Sequence, residues 1–282
     1  MRIAYLGPRG TFSEEALKAA VGGESHEQLP KASIYEAILA VQDGDADRAL
    51  VPFENSIEGA VRSTLDALAF DAPEVAMVGE YDFSIRHCLI ARTGVGEPEI
   101  EVVLSHPQAS AQCARFIREN LPGAEVRGVA SNAEAVRQVA ESPEPWAALG
   151  SAGAAEIYGA VILRDGVEDE PDNITRFIWL APRGTEASGE GPHKTSLVFS
   201  ELGDDHPGAL VEALSEFSLR RVNLTRIESR PLRRGLGRYM FFCDLEGGPS
   251  EAAVADAIAG LERKAESVRL LGSYPVTGGG VP

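Results

Sequence analysis

Several features that would define other classes of protein are scarce in this sequence. Its 282 residues include three cysteines, odd in number and widely spaced, with no Cys-x-x-Cys pair: Cys88, Cys113 and Cys243. This pattern excludes a disulfide framework and a structural zinc site. No apolar run approaches the ~20 residues of a membrane-spanning helix, and the first residues resemble a strand and turn rather than a signal peptide. We expect a cytoplasmic protein that contacts no membrane.

Positive charge is also scarce. Asp and Glu number 43 against 26 Lys and Arg, the formal net charge is −17, and only four residues are lysine. A surface of this kind does not suit nucleic acid, so we expect no nucleic-acid partner. Hydrophobic residues make up 44% of the chain, which is enough for the cores of one or two domains.

The first part of the chain alternates strand-like and helix-like segments. A Ser or Thr stands three residues before a Glu at Thr11, Ser33 and Ser131, the spacing of a capping box, so each should begin a helix. Further patterns predict helices over 56–68 and 107–121, and strands over 2–6, 49–52, 102–104, 146–149 and 175–180. Alternating strands and helices indicate an α/β fold.

A second module follows a segment rich in Pro, Gly and Ser, which we assign as a linker over 183–193. The predicted order after it is strand, helix, strand, strand, helix, strand, which is the βαββαβ order of a ferredoxin-like domain. These elements are expected at 195–200, 207–220, 223–229, 238–245, 250–266 and 268–274. The domain would span 194–276, and 277–282 would be a tail.

Two motifs in the first domain place polar groups where ligands bind. Residues 7–13, Gly-Pro-Arg-Gly-Thr-Phe-Ser, form a glycine loop before a capped helix, where free N–H groups attract anions. A plain strand-to-helix turn explains the same pattern. Residues 51–59, Val-Pro-Phe-Glu-Asn-Ser-Ile-Glu-Gly, crowd polar side chains at the end of a buried strand, where α/β folds place ligands. A cap on the next helix by Asn55 or Ser56 explains the same residues equally well.

Two later motifs can likewise be interpreted either as part of a ligand site or as ordinary local structure. Ser105, His106, Pro107 and Gln108 follow a strand, and Gln112 lies one helical turn after Gln108. We interpret His106 as turn structure, because no carboxylate or nucleophile stands at a suggestive spacing. Thr175 and Arg176 lie side by side at the start of a strand. Since neighbouring strand residues face opposite ways, only one of the two should face a ligand unless the strand is still opening.

Taken together, the order and spacing of these motifs resemble the prephenate dehydratase family. The family pattern includes Gly-Pro-x-Gly-Thr-Phe-Ser, Glu-Asn-Ser-x-x-Gly, Ser-His-Pro-Gln and Thr-Arg-Phe, all present here. Residues 206–211, His-Pro-Gly-Ala-Leu-Val, and 223–231, Asn-Leu-Thr-Arg-Ile-Glu-Ser-Arg-Pro, are similar to the phenylalanine-binding signatures of its ACT domain. The resemblance covers nearly the whole chain, although Asp-Asn precedes Ile-Thr-Arg-Phe where Asn-Asn is often seen.

The resemblance implies an architecture and a set of site residues. The catalytic domain, 1–182, would be two-lobed like a periplasmic binding protein, with lobe one at about 1–77 and 160–182 and lobe two at about 78–159. The expected catalytic residues are Thr175, Asn55, Ser105 and Gln112, and the expected substrate-binding residues are Thr11, Ser56, Arg176 and Phe177. The expected phenylalanine-binding residues are Gly208, Ala209, Leu210, Val211, Asn223, Leu224, Glu228, Ser229, Arg230 and Pro231.

The resemblance also implies a reaction. Prephenate would lose CO₂ and its ring hydroxyl to give phenylpyruvate, with Thr175 as the hydrogen-bond donor to the departing oxygen and Arg176, if it touches substrate, at the pyruvyl carboxylate. Aromatisation drives the reaction, so no cofactor or metal is expected. L-Phenylalanine would regulate the enzyme, and a homodimer or homotetramer is expected. Two alternatives are an arogenate dehydratase and a non-catalytic amino-acid sensor.

Overall fold

A computed structural model describes residues 1–23, 25–187, 189–203 and 207–276; His206 and the predicted tail at 277–282 lie outside these ranges. The described strands are β1 (Arg2–Leu6), β2 (Glu27–Lys31), β3 (Arg48–Asn55), β4 (Gly59–Ala60), β5 (Val75–Ser84), β6 (Cys88–Ala91), β7 (Val102–Ser105), β8 (Glu125–Gly128), β9 (Trp146–Gly150), β10 (Val161–Arg164), β11 (Ile174–Pro182), β12 (His193–Ser200), β13 (Leu224–Pro231), β14 (Tyr239–Glu246) and β15 (Ser267–Pro275). The described helices are α1 (Phe12–Val21), α2 (Ile34–Gln42), α3 (Arg62–Phe70), α4 (Pro107–Gln112), α5 (Ala114–Asn120), α6 (Asn132–Glu141), α7 (Ala152–Tyr158), α8 (Ala209–Ser218) and α9 (Ala252–Glu262), with a short 3₁₀ helix at Glu97–Glu99. Within these ranges no helix is long and apolar enough to cross a membrane.

The fold is the two-lobed α/β arrangement expected from the resemblance. Lobe one is built on the strand order β5-β11-β3-β1-β2, and lobe two on a separate sheet of order β10-β6-β9-β7-β8. The chain passes between the lobes twice, once from β5 to β6 and once from β10 to β11. A cleft between two lobes joined by two crossovers follows directly from this topology.

The lobe boundaries differ from those predicted. β5 is a ten-residue strand that pairs with β11 as far as Ser84, so 78–84 belong to lobe one. β10 pairs with β6, so 161–164 belong to lobe two rather than to the returning segment of lobe one. No strand was predicted at β10, and local sequence does not indicate which sheet a strand will join.

The three predicted capping boxes begin helices, because Thr11, Ser33 and Ser131 each accept the backbone N–H of the Glu three residues on. The helix predicted over 56–68 was wrong in its first part. Asn55 Oδ1 accepts the backbone N–H groups of Ile57 and Glu58, both at 3.0 Å. In this Asx-type turn the N–H groups of Ile57 and Glu58 bond to the side chain of Asn55. The helix begins only at Arg62. The helix predicted over 107–121 is interrupted at Cys113.

The C-terminal module has the predicted βαββαβ order, with α8 and α9 packed on one face of its sheet. That sheet, in the order β13-β14-β12-β15, continues into the sheet of lobe one, because Gly272 in β15 pairs with Met77 in β5. The face of this sheet opposite α8 and α9 packs against lobe one. It contributes Val198, Phe242 and Tyr274 to the same apolar cluster as α2 and α3. One long sheet therefore runs through lobe one and the C-terminal domain, while lobe two keeps its own sheet.

Candidate active site

The cleft between the lobes has a volume of about 460 Å³. Lobe one supplies the turn from β1 into α1, the end of β3 and the start of β11, while lobe two supplies the starts of α4 and α6. The crossovers contribute Ile85, His87 and Asn173. Five of the eight residues expected to act on or bind substrate line this cleft: Thr11, Asn55, Gln112, Thr175 and Phe177. The separate motifs of the sequence therefore meet at one place.

Thr175 and Asn55 lie opposite each other in the β11–β3 pair. Asn55 Nδ2 donates to Thr175 Oγ1 at 2.9 Å and to Asn173 Oδ1 at 2.7 Å. Because the threonine oxygen accepts from Asn55, its own proton remains available for another acceptor. Both side chains are buried. A hydroxyl donor is thus held in the cleft by a neutral amide.

Gln112 extends this arrangement from lobe two. Its Oε1 accepts from Asn173 Nδ2 at 3.0 Å and lies 3.1 Å from His87 Nε2. Its Nε2 donates to Glu58 Oε1 of lobe one at 3.4 Å. Gln112 therefore contacts both a crossover residue and the opposite lobe, and its position depends on how the lobes are set.

The turn into α1 forms the end of the cleft next to β1. Thr11 Oγ1 donates to Leu6 O at 2.9 Å and accepts from Glu14 N at 3.3 Å, which fixes the helix start. The backbone N–H groups of Phe12 and Ser13 precede the intrahelical hydrogen bonds and face no acceptor in the described structure. The start of α6 has the same geometry with Ser131 as its cap. Both helices lie with the positive ends of their dipoles at the cleft.

The structure corrects the placement of two expected residues. Ser105 is fully buried, its hydroxyl donates to the carbonyl of His106 at 3.0 Å, and it is not among the described residues that line the cleft. Ser56 joins two loops instead: it accepts from Ile174 N at 3.0 Å and donates to Asp172 O at 3.3 Å. Both residues support the cleft from behind.

Arg176 is also not in the cleft. Strand alternation turns it to the opposite face of β11 from Thr175, where Nη2 meets Asp244 Oδ2 of the C-terminal domain at 2.5 Å. Nη1 lies 3.5 Å from Glu80 Oε2, and the guanidinium lies over the ring of Phe53 at 4.9 Å. Burial acts to lower the pKa of Arg176, but the acidic groups around it, Asp244 first and then Tyr274 and Glu80, together outweigh burial and the pKa is raised. The substrate contact expected for Arg176 is therefore replaced by an interdomain ion pair.

The sequence reasoning missed three polar residues of the cleft. His87 and Asn173 complete the hydrogen bonds of Gln112 and Asn55, and Asn132 Oδ1 accepts from His106 N at 2.9 Å. Asn173 lies inside a motif but was not predicted as a site residue, because an amide in a loop has no distinctive spacing. His106, interpreted as turn structure, caps α4 by accepting from Gln108 N at 3.3 Å and also lines the cleft.

The cleft is lined without formal charge. Among the described residues that form its walls there is no Asp, Glu, Lys or Arg, and the titratable members are two histidines. Burial lowers the pKa of one of them, His87, below its ordinary value. Over the described ranges, no group of three His, Cys, Asp or Glu side chains is placed to hold a metal ion.

The residues expected to bind phenylalanine do not all lie together within one chain. A second cavity of about 560 Å³ in the C-terminal domain includes Ala209 and Leu210. Gly208, with φ 100°, precedes α8, and Val211, Asn223, Leu224, Ser229 and Pro231 are at least partly exposed on α8 or along β13. Arg230, one position beyond Ser229, instead pairs with Asp66 of lobe one at 2.7 Å, and Glu228 is two residues before it on the same side of the strand.

Known proteins resemble this chain over both domains. The family model for prephenate dehydratase matches 3–185, and the model for the ACT domain matches 198–263. A prephenate dehydratase of Mycobacterium tuberculosis is 40% identical over 98% of this chain and 87% of its own length. The structure is similar to that of an Arthrobacter aurescens prephenate dehydratase in complex with L-Phe, with a TM-score of 0.90, 38% identity and coverage of 99% of this chain and 90% of that one.

Another similar structure is that of GqqA, described as a novel type of quorum-quenching acylase, with a TM-score of 0.86, 32% identity and 98% coverage of both chains. The fold is thus shared with a protein of a different described activity, and it is the family model that is decisive here, since it covers well over half of the sequence. On this evidence the chain belongs to the prephenate dehydratase family and carries a C-terminal ACT domain.

Proposed function

We propose that the cleft converts prephenate to phenylpyruvate, and that the observation carrying this function is the hydrogen bond from Asn55 to Thr175. The ring carboxylate leaves as CO₂, its electron pair enters the ring, and the C–O bond opposite breaks. The departing hydroxide takes up one proton and leaves as water. The hydroxyl of Thr175 donates a hydrogen bond to that oxygen and so stabilises its developing negative charge.

The neutral cleft wall suits the two carboxylates of prephenate. The carboxylate on the ring must lose its charge, so a tight ion pair with a guanidinium would oppose the reaction. We propose that the starts of α1 and α6 supply backbone N–H groups for the substrate's anions, because helix N-termini bind carboxylates without a full positive charge. Phe177, buried in the wall, offers an apolar surface to the ring.

Prephenate is favoured over arogenate by the same wall. Arogenate carries an ammonium group where prephenate has a keto group, and a buried ammonium needs a carboxylate partner. Neither Asp nor Glu is found among the described residues lining the cleft. We therefore expect kcat/KM for prephenate to exceed that for arogenate at least tenfold, the effect of roughly one unpaired buried polar group.

The test is an assay of the purified protein with prephenate, followed as phenylpyruvate by its absorbance in alkali, with EDTA present. Thr175→Ala should lower kcat on the order of 10²–10³, the usual cost of a lost donor to developing negative charge. Thr175→Ser is the matched variant, because it keeps the hydroxyl and should keep most of the rate. Equal loss in both variants would remove the donor role.

A lack of turnover would redirect the proposal. Turnover of arogenate alone would make the chain an arogenate dehydratase. No turnover of either substrate, with L-phenylalanine still bound in calorimetry, would leave the amino-acid sensor.

We propose further that L-phenylalanine binds to the ACT domain and changes the rate in the cleft. The similar A. aurescens protein was solved with L-Phe. In this chain the route to the cleft is short: Asp244 of β14 pairs with Arg176, which is the next residue after Thr175. Arg226 of β13 lies 3.6 Å from Glu54, which is the residue before Asn55. A shift of the ACT sheet would therefore act on both strands that carry the reacting groups.

Self-association of the ACT domain would complete the effector site in this proposal. β13 is the outermost strand of its sheet, so one row of backbone N–H and C=O groups is open. Near it, Ile227 is 47% exposed and Val211 68% exposed. We expect a homodimer or homotetramer, measured by light scattering after size-exclusion chromatography, and Ile227→Lys should shift it toward monomer. A monomeric wild type that still responds to L-phenylalanine would contradict this.

A further inference from the structure

His87 is a buried cleft residue to which the reaction described above assigns no task. It lies in the first crossover, between β5 and β6, and is 2% exposed. Its ring meets that of Phe12 edge to face, with centroids 5.2 Å apart and an interplanar angle of 87°. The imidazole is therefore fixed in rotation by packing as well as by hydrogen bonding.

The hydrogen bonds around His87 define which of its nitrogens carries the proton. His87 Nε2 lies 3.1 Å from Gln112 Oε1, which also accepts from Asn173 Nδ2. An amide oxygen only accepts, so Nε2 must be the protonated nitrogen in the neutral ring. Nδ1 is then an unprotonated acceptor, buried and without a partner in the described structure.

A continuous chain of hydrogen bonds runs from His87 to the reacting hydroxyl. His87 donates to Gln112 Oε1, and Asn173 donates to the same oxygen. Asn173 Oδ1 accepts from Asn55 Nδ2 at 2.7 Å, and Asn55 Nδ2 also donates to Thr175 Oγ1 at 2.9 Å. Every member is neutral. The Asn55 amide is also held by the backbone N–H groups of Ile57 and Glu58, so His87 acts mainly on the middle of the chain, Gln112 and Asn173.

We propose that His87 is a positioning residue that works as a neutral Nε2–H donor, holding Gln112 and Asn173 so that the Asn55 amide, which donates to Thr175, keeps its second acceptor. The inference rests on the proposed reaction of the cleft. If the donor is lost, Gln112 is held only by Asn173 and by its longer hydrogen bond to Glu58 at 3.4 Å, so its amide becomes less ordered. A less ordered Gln112 would loosen Asn173, whose Oδ1 accepts from Asn55.

The charged groups around His87 do not favour its protonation enough to offset burial. Glu168 accepts from the backbone N–H of His87 at 2.8 Å, but Arg86 pairs with Glu168 at 2.8 Å. Glu58 lies beyond Gln112. Burial lowers the pKa of His87, whereas the hydrogen bond to Gln112 and the charge of Glu168 act to raise it, and the net direction is down from 6.5. Protonation would add a buried N–H at Nδ1 that has no acceptor.

The activity test compares two variants that differ in whether they keep a hydrogen-bond donor at position 87. His87→Phe keeps the ring packed on Phe12 but removes the donor, so kcat should fall roughly tenfold, the rate equivalent of one hydrogen bond, while KM changes less than threefold. His87→Gln restores an N–H donor near the position of Nε2 and should recover most of kcat. Full kcat in the Phe variant would overturn the proposal.

The pH profile separates positioning from a general packing role. Protonation leaves the Nε2–H donor in place but adds an N–H at Nδ1 that has no acceptor in the buried site, so the ring should shift away from Gln112. In the wild type, kcat should therefore fall on the acid side with an apparent pKa below 6.5. In His87→Gln this limb should be absent, because nothing at this position titrates. A limb that persists unchanged in the Gln variant would contradict the inference.

A spectroscopic measurement tests His87 independently of turnover. The ¹⁵N chemical shifts of histidine distinguish the Nε2–H tautomer, the Nδ1–H tautomer and the protonated ring. We expect His87, assigned by its absence from His87→Gln, to be the neutral Nε2–H form at pH 7 and to titrate below 6.5. An Nδ1–H tautomer or a charged ring at pH 7 would sink the proposal even in an active enzyme. An inactive wild type with the expected tautomer would instead locate the failure in the proposed reaction.

Discussion

The two faces of strands β3 and β11 differ in charge although they are built from neighbouring residues. Asn55 and Thr175 face the cleft and form neutral hydrogen bonds, whereas Glu54 and Arg176, adjacent to them in sequence, face the ACT domain and form ion pairs. The pleat of a strand separates the two sets. The same strands can thus hold a substrate anion on one face, without a competing charge, and a charged domain contact on the other.

The charged face is a buried network rather than a set of surface pairs. Lys194 Nζ lies 2.6 Å from Glu80 Oε1, and Asp244 accepts from Ser196 at 2.7 Å as well as from Arg176. Phe53 is enclosed by the guanidinium groups of Arg176 and Arg226, at 4.9 and 4.7 Å from its ring. Buried ions are costly to leave unpaired, so this contact should tolerate charge removal poorly on either side.

The largest effect is expected from placing charge on the neutral face. Asn55→Asp removes the donors to Thr175 and Asn173 and introduces a carboxylate beside a dianionic substrate. We expect kcat/KM to fall on the order of 10³ or more. The matched control is Asn120→Asp, which makes the same change at an exposed residue of α5. Comparable losses in both would mean that the cleft does not require neutrality.

Removing charge from the other face should affect stability more than substrate binding. Arg176→Gln leaves Asp244 without its partner, so the free energy of unfolding in urea should fall by about 3 kcal/mol, while KM for prephenate changes less than threefold. The double variant with Asp244→Asn should lose less than the sum of the single changes, as a coupled pair does. A large rise in KM with unchanged stability would indicate instead that Arg176 contacts the substrate.

The response to L-phenylalanine should depend on the same pair. Asp244→Asn keeps the shape of the contact but not its charge, and we expect the effect of L-phenylalanine on kcat/KM to shrink at least fivefold, within the usual range of coupling between sites. Glu125→Gln, which alters an exposed ion pair with Arg127 in lobe two, is the control and should leave the response intact. An unchanged response in Asp244→Asn would place the coupling elsewhere.

The smallest effect concerns the peripheral pair of Arg230 and Asp66, to which Arg233 adds a contact at 2.8 Å. Burial acts to raise the pKa of Asp66, but the two guanidinium groups outweigh it and the pKa lies below 3.8. A lowered carboxyl pKa contributes stability above pH 3.8 that is lost as pH falls through the folded value. Asp66→Asn should therefore cost about 1 kcal/mol at pH 7 and progressively less below pH 3.8, followed by urea unfolding.

Local patterns predicted much of this molecule. Capping boxes gave the helix starts at Thr11, Ser33 and Ser131, and local patterns gave the full order of elements in the C-terminal domain. In the first domain the strands β2, β8 and β10 were not predicted. Alternation alone also implied that Thr175 and Arg176 would face opposite ways. Carrying Arg176 over as a substrate contact overrode that geometric argument, and the structure agrees with the geometry.

Contacts between distant segments were not accessible from the sequence. His87 meets Gln112 across 25 residues, and Asn173 meets Asn55 across 118, with no spacing rule to announce either. No strand was predicted at β10, and the sheets that β5 and β10 join are set by packing between distant segments. The charged network between the domains was invisible for the same reason, since each of its members alone resembles a surface residue.

The pairing of Gly272 with Met77 limits which regulatory domains could replace this one. At that point β15 approaches β5 so closely that a Cβ on residue 272 would collide with the carbonyl oxygen of Met77. A regulatory module transplanted from another protein would need glycine at this position, however well its linker matched. The linker, rich in glycine and proline, makes the two domains look separable in sequence. The close contact of β15 with β5 nevertheless restricts which domain could be joined to this catalytic domain.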